Sequence, residues 1–324
     1  MCLGYTIEVM MFCGNFLHTP HSIFSSSRLQ LSSSSSSSSR FSISCSQMDT
    51  HNNQGRSKFL ELPFVSAPHK NLMLDLVSTL EDRLQSHLLP CSLPPDVQYY
   101  KNNSGSSQIS LHITPGNTHS PVDFVLGSWV HSELPTGGSL DITSISAYLK
   151  TSNDAPNFAF DLIRSSPTML LLVLDLPPRK DLVLSPEYLK TFYEDTELDK
   201  HRQALEKVHE VQPYFSSSLF IRAFASPTAI YVRVQTENDG GERLDEILRD
   251  HIGPISKQVL GIWLDHCACA EREVGEEERA YLRKRDGFVR NKTVEVDLGT
   301  SFPRLFGQEG ADKLLDAIKK YFTV

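Results

Sequence analysis

Five strand-like segments follow one another in the middle of this chain with no helix between them, and no other feature restricts its fold as much. They are Ile109–Thr114, Val122–His131, Leu140–Leu149, Phe158–Arg164 and Met169–Leu176, rich in β-branched and aromatic residues and separated by short Pro, Gly, Asn or Ser turns. Parallel neighbours need crossovers of a dozen or more residues, so these connections predict a mainly antiparallel sheet. Phe158, Phe160 and Leu162 alternate along their segment, which predicts a sheet with two chemically distinct faces. Two later segments, Leu219–Ala225 and Ile230–Gln235, are predicted to extend it.

Helical patterns lie on either side of this block. Leu72, Leu76, Leu80 and Leu84 form a stripe at helical spacing, predicting a helix from Ala67 to Leu89 with Ser66 as cap and Pro90 as stop. A helical insert is expected from Pro186 to Val208. Further helices are expected over Glu242–His251, Pro254 to about Arg285, and Gln308–Phe322. Helix before, sheet in the middle and helices after make an α+β sandwich around one central sheet. Residues 59–324 hold no repeat or linker, so residues 48–324 are expected to form a single domain.

The first 47 residues differ in composition. They hold one acid, Glu8, against Arg28 and Arg40, and eight consecutive serines from Ser32 to Ser39. Hydroxyl-rich, acid-poor, Arg-punctuated composition is that of an organelle transit peptide, here one directing the chain to the plastid stroma. Its removal shifts the net charge from −8 to −9. So acidic a protein is a poor nucleic-acid binder. Cys91, Cys267 and Cys269 remain, an odd number without disulfide-framework spacing, which points to a reducing compartment. The longest apolar run, Met169–Leu174, is too short to cross a bilayer as a helix.

The motifs exclude more chemistry than they suggest. Gly127–Gly138 carries neither a dinucleotide nor a P-loop pattern and reads as a tight hairpin. His266, Cys267 and Cys269 have no second ligand pair at zinc-site spacing. Two acids are less ordinary: Asp161 within the apolar NFAFDLIRS, and Asp297 in VEVDLGTSF, read as an extended stretch between helices. A buried carboxylate must be paired or protonated. Asp161 can therefore occupy an edge position, pair with Arg164 or a lysine, or act as a proton donor with a raised pKa. Basic residues cluster at Arg179–Lys180, at Arg283, Lys284 and Arg285 with Arg290 and Lys292, and at Lys319–Lys320. The ordinary reading is solvated surface; on an acidic protein such a patch can also dock an acidic partner.

Longer strings carry a family resemblance. LMLDLVSTLEDRLQSHLLPCSLPPDV, SPVDFVLGSWVH, LPTGGSLDITSIS, APNFAFDLI, LDLPPRKDLVLSPEYLKTFY, EILRDH and FPRLFG follow in order over nearly the whole chain after the leader. Together they resemble the red chlorophyll catabolite reductases of land plants. The resemblance implies an α/β/α three-layer sandwich of the ferredoxin-dependent bilin reductase kind, commonly a homodimer. It also implies reduction of the ring-opened product of pheophorbide a oxygenase to a primary fluorescent catabolite. Electrons would come from reduced ferredoxin, with no flavin, nicotinamide or metal bound. By the same resemblance Asp161 and Asp297 line the tetrapyrrole pocket and supply protons, with Asp161 standing where the family carries Glu. Phe224 and Ala225 are implied to contact the substrate, and Arg283, Lys284 and Arg285 are a candidate ferredoxin dock by charge. The alternative from another class is a non-catalytic protein that sequesters a tetrapyrrole.

Overall fold

The computed structural model describes residues 54–323 apart from 136, 238 and 239; the expected transit peptide lies outside the described residues. The strands are β1 (Tyr99–Lys101), β2 (Ser107–Pro115), β3 (Val122–Glu133), β4 (Ser139–Leu149), β5 (Phe158–Ser166), β6 (Met169–Asp175), β7 (Val211–Pro213) and β8 (Ile230–Gln235). They form one sheet in the order β1-β2-β3-β4-β5-β6-β8-β7, every neighbouring pair antiparallel. The five expected strands are its centre, and the β3–β4 connection is the expected hairpin.

The sheet is sandwiched. One face carries Trp129, Ile145, Phe158, Phe160, Leu162, Leu172 and Val232. It packs on α1 (Ala67–Leu84), the insert helices α3 (Pro186–Leu189) and α4 (Leu198–Leu205), and α6 (Glu242–Ile247) with α7 (Gly253–Trp263). Trp263, fully buried, donates its indole N–H to the Pro156 carbonyl at 3.0 Å and so ties α7 to the turn before β5. The second face carries Ile109, Leu126, Ile142, Ala159, Ile163 and Val173. It is covered by α2 (Pro95–Gln98), α5 (Leu219–Phe224), the wide turn Val294–Leu298 that ends α8 (Glu276–Thr293), and α9 (Gly299–Phe322).

Several expectations need correcting. Leu219–Phe224 is helix, not strand. Its Ser218 hydroxyl accepts from the Ile221 amide, and a six-residue apolar run cannot by periodicity be told from a strand. Asp297 is helical, not extended: Val294, Asp297 and Leu298 are buried while Glu295 and Val296 face out, the spacing of a helix face. The helix expected from Pro254 breaks after Ala268 and restarts at Glu276. α1 ends at Leu84 rather than at Pro90, and Leu88 instead bridges to Gly116. Ser66 makes no capping bond; its hydroxyl donates to Asp245 Oδ1 at 2.7 Å. α9 starts nine residues before Gln308 and bends at Gly307, whose φ of 72° suits a residue without a Cβ.

Candidate active site on the second sheet face

Side chains alternate across β5, so Ala159, Asp161 and Ile163 face the second layer while Phe158, Phe160 and Leu162 face the first. β5 lies fifth of eight strands, which rules out an edge position for Asp161. Arg164 projects to the other face, where it donates to the Ser166 and Pro167 carbonyls and stands 3.8 Å from Asp245. Asp161 is fully buried and accepts a 2.5 Å hydrogen bond from Ser144, its cross-strand partner on β4. Ser144 in turn pairs with Ser128 on β3, giving the row Ser128–Ser144–Asp161 across this face. Ser128 is 1% exposed, and its hydroxyl has no hydrogen-bond partner among the described residues.

Asp297 comes to this face from the covering layer. It is 3% exposed, and neither carboxyl oxygen has a hydrogen-bond partner among the described residues. Burial pushes its carboxyl well above the ordinary range, and the nearby Asp161 charge acts in the same sense. Two carboxyls close enough to feel each other cannot both ionise cheaply in a site from which water is excluded. Burial and the neighbouring carboxyl thus both favour the neutral form of Asp297 over the ionised one.

A third acid went unnoticed in the sequence. Asp175 ends β6 opposite Ala159, one diagonal step from Asp161 on the same face. It is 2% exposed, and its carboxyl is pushed up to about 6 by burial, against the pull of hydrogen bonds from Ser226, Tyr231 and Leu176. The signal was an Asp closing the apolar run MLLLVLD, although Asp at a strand end is ordinarily a turn residue.

Phe224 is buried in the core that also holds Val294 and Leu298, and Ala225, half-buried, ends its helix. The basic residues divide. Arg283 and Lys284 are exposed on α8, while Arg285 is half-buried near Tyr193. Arg290 is no surface charge: it is 3% exposed, bonded to Asp123 at 2.7 Å and stacked over Phe124 and Tyr148. Arg179 is fully buried on Asp286, and Lys180 engages Asp154 and Glu278. His266 is exposed and Cys267 buried, so the two do not converge. A cleft of about 790 Å³, lined by His119, Asn153, Cys269 and Arg272 among others, shares no residue with the acid face.

In fold the molecule belongs with the bilin reductases. It is similar to tomato phytochromobilin synthase in complex with biliverdin, with a TM-score of 0.59 and 18% identity over 79% of this chain and 83% of that one. The family model described as red chlorophyll catabolite reductase (RCC reductase) matches residues 68–320, and the chain belongs to that family. The chloroplastic red chlorophyll catabolite reductase of Arabidopsis thaliana is 50% identical over 324 residues, covering 97% of this chain and 99% of the relative. The chloroplastic red chlorophyll catabolite reductase 1 of Oryza sativa subsp. japonica is 40% identical, covering 80% of this chain and 79% of its own. The Hordeum vulgare protein is 43% identical over 63% of this chain and 98% of its own.

Proposed function

We propose that this chain reduces red chlorophyll catabolite, a linear tetrapyrrole, to a primary fluorescent catabolite in the chloroplast, with reduced ferredoxin as electron donor and no prosthetic group of its own. Family membership supports the substrate, and the names of the Arabidopsis and rice relatives support the compartment. The observation that carries the chemistry is Asp297, a buried carboxyl without a partner among the described residues, in electrostatic contact with Asp161.

The reduction takes up two electrons and two protons. Ferredoxin delivers electrons singly, so a proton must follow each to keep charge from building up on the pigment. A carboxyl that stays protonated near neutral pH meets that need, and the ionised form left behind is reprotonated from solvent. Asp297 is the donor in this reading. Asp161, fixed by Ser144, is the second acid, and Phe224 and Ala225 contact the ligand. Residues 48–324 act as one catalytic domain after removal of the leader, in a homodimer. Ferredoxin docks near Arg283 and Lys284, and the substrate is received from pheophorbide a oxygenase.

The test is an anaerobic assay with reduced ferredoxin and red chlorophyll catabolite. Blue-fluorescent product is expected. Binding of the pigment without its consumption would instead identify a sequestering protein.

A further inference from the structure

One carboxylate ties together three elements around the acid face. Asp175 Oδ2 accepts from the Ser226 amide at 3.1 Å and from the Tyr231 hydroxyl at 3.2 Å, joining the end of β6 to β8 and to the segment that follows α5. Its Oδ1 is buried without a hydrogen-bond partner among the described residues. Bonds from two other elements converge on this one buried side chain, so what it holds in place calls for an explanation.

α5 supplies one. Six residues cannot sustain a helix unaided, so its place over the sheet depends on how its ends are held. Ser218 holds the first end, its hydroxyl accepting from the Ile221 amide at 3.4 Å. Beyond the second end, Ala225 is extended, and Ser226 is the next residue fixed by a side chain from another element. Phe224, the last residue of this short helix, and Ala225 after it thus stand next to the Asp175 anchor. Phe224 also meets Phe220 edge-on at 5.0 Å, so a shift at Ser226 is passed back along the helix.

We propose that Asp175 is a positioning residue: by holding the Ser226 amide it places Phe224 and Ala225 against the sheet face that carries Asp161. The proposal rests on the reductase reading. A displacement of about 1 Å in groups that orient a substrate can cost up to ~100-fold in rate.

The experiment compares parent, Asp175→Ala and Asp175→Asn by steady-state turnover of red chlorophyll catabolite with reduced ferredoxin. Asp175→Ala should lower kcat/KM at least about tenfold, with KM for the pigment rising. Asp175→Asn, whose amide oxygen still accepts from Ser226, should restore most of the loss. Should Asp175→Ala fail to fold, Ser226→Pro removes the amide donor together with the hydroxyl that accepts from the Thr228 amide. It is expected to give the same rise in KM, whereas Ser226→Ala, which removes the hydroxyl only, is expected to keep the parent's KM. A folded Asp175→Ala, or Ser226→Pro, with the parent's KM and kcat overturns the positioning role, as does an Asn variant as impaired as Ala. A parent chain that binds the pigment without turning it over sinks the reductase reading instead, and with it any role for Asp175 in that reaction.

Discussion

A carboxyl buried without a partner either ionises at a cost of several kcal/mol or keeps its proton, and burial at Asp297 favours the protonated form. Replacing Asp297 or Asp161 by Asn preserves shape and removes the acid. Each change should lower kcat by about 10²–10⁴ while leaving the pigment's dissociation constant within a few-fold, as read by single-turnover and equilibrium titration. Unchanged rates for both would remove the proton-donor role. Asp175 gives a prediction of stability rather than rate. Its folded value of about 6 lies above the ordinary 3.8, so its contribution to stability is fully present below 3.8 and is lost as pH rises through 6. Asp175→Asn should therefore gain stability over the parent between pH 5 and pH 7.5, by up to about 3 kcal/mol, and not below pH 4. Denaturant unfolding at several pH values would show it, and a pH-independent difference would contradict it.

Between elements, Arg179 and Asp286 form a buried polar joint. Arg179 donates to Asp286 Oδ2 at 2.5 Å and to the Asn153 carbonyl at 2.5 Å, tying the β4–β5 turn and the chain after β6 to α8. Asp286→Ala strands a buried guanidinium and should cost about 3–5 kcal/mol in chemical denaturation, whereas an apolar replacement of both partners should cost much less. Packing sets a second limit. A Cβ on Gly127 would stand 2.5 Å from Phe59 Cζ, so Gly127→Ala must displace that ring and should cost about 1–3 kcal/mol. An unchanged thermal midpoint would show that the segment bearing Phe59 moves freely. Such contacts explain why the sheet could be read from the sequence and much else could not. Short turns and period-two alternation are local, and they gave β2 to β6 directly. Leu219–Phe224 and Val294–Leu298 are short apolar runs whose state is decided by what they pack on. Likewise Arg179 and Arg290 stand in basic clusters along the chain, yet clustering says nothing of facing, and both are buried. Asp161 stood out because a charge interrupts an apolar strand. Its meeting with Asp297 depends on how the covering layer folds back, and only family resemblance suggested it in advance.

At the scale of the whole molecule, a chain of net charge −8 repels an acidic electron carrier on average, so productive encounters need a local exception. α8 offers one, with Arg283 and Lys284 exposed and the exposed rings of Tyr281 and Phe288 beside them. Arg285 is half-buried and Arg290 buried, so the effective patch is smaller than the run of basic residues in the sequence. If this patch steers ferredoxin, its contribution is long-range and screened, falling off over about 10 Å at 0.1 M ionic strength. Arg283→Glu with Lys284→Glu should then raise KM for ferredoxin several-fold at low salt, leave kcat at saturating ferredoxin near the parent's, and converge with the parent as salt is raised. A double variant whose rate follows the parent's salt dependence throughout would move the dock elsewhere, because a charge that contributes to steering cannot be reversed without changing how salt screens the encounter.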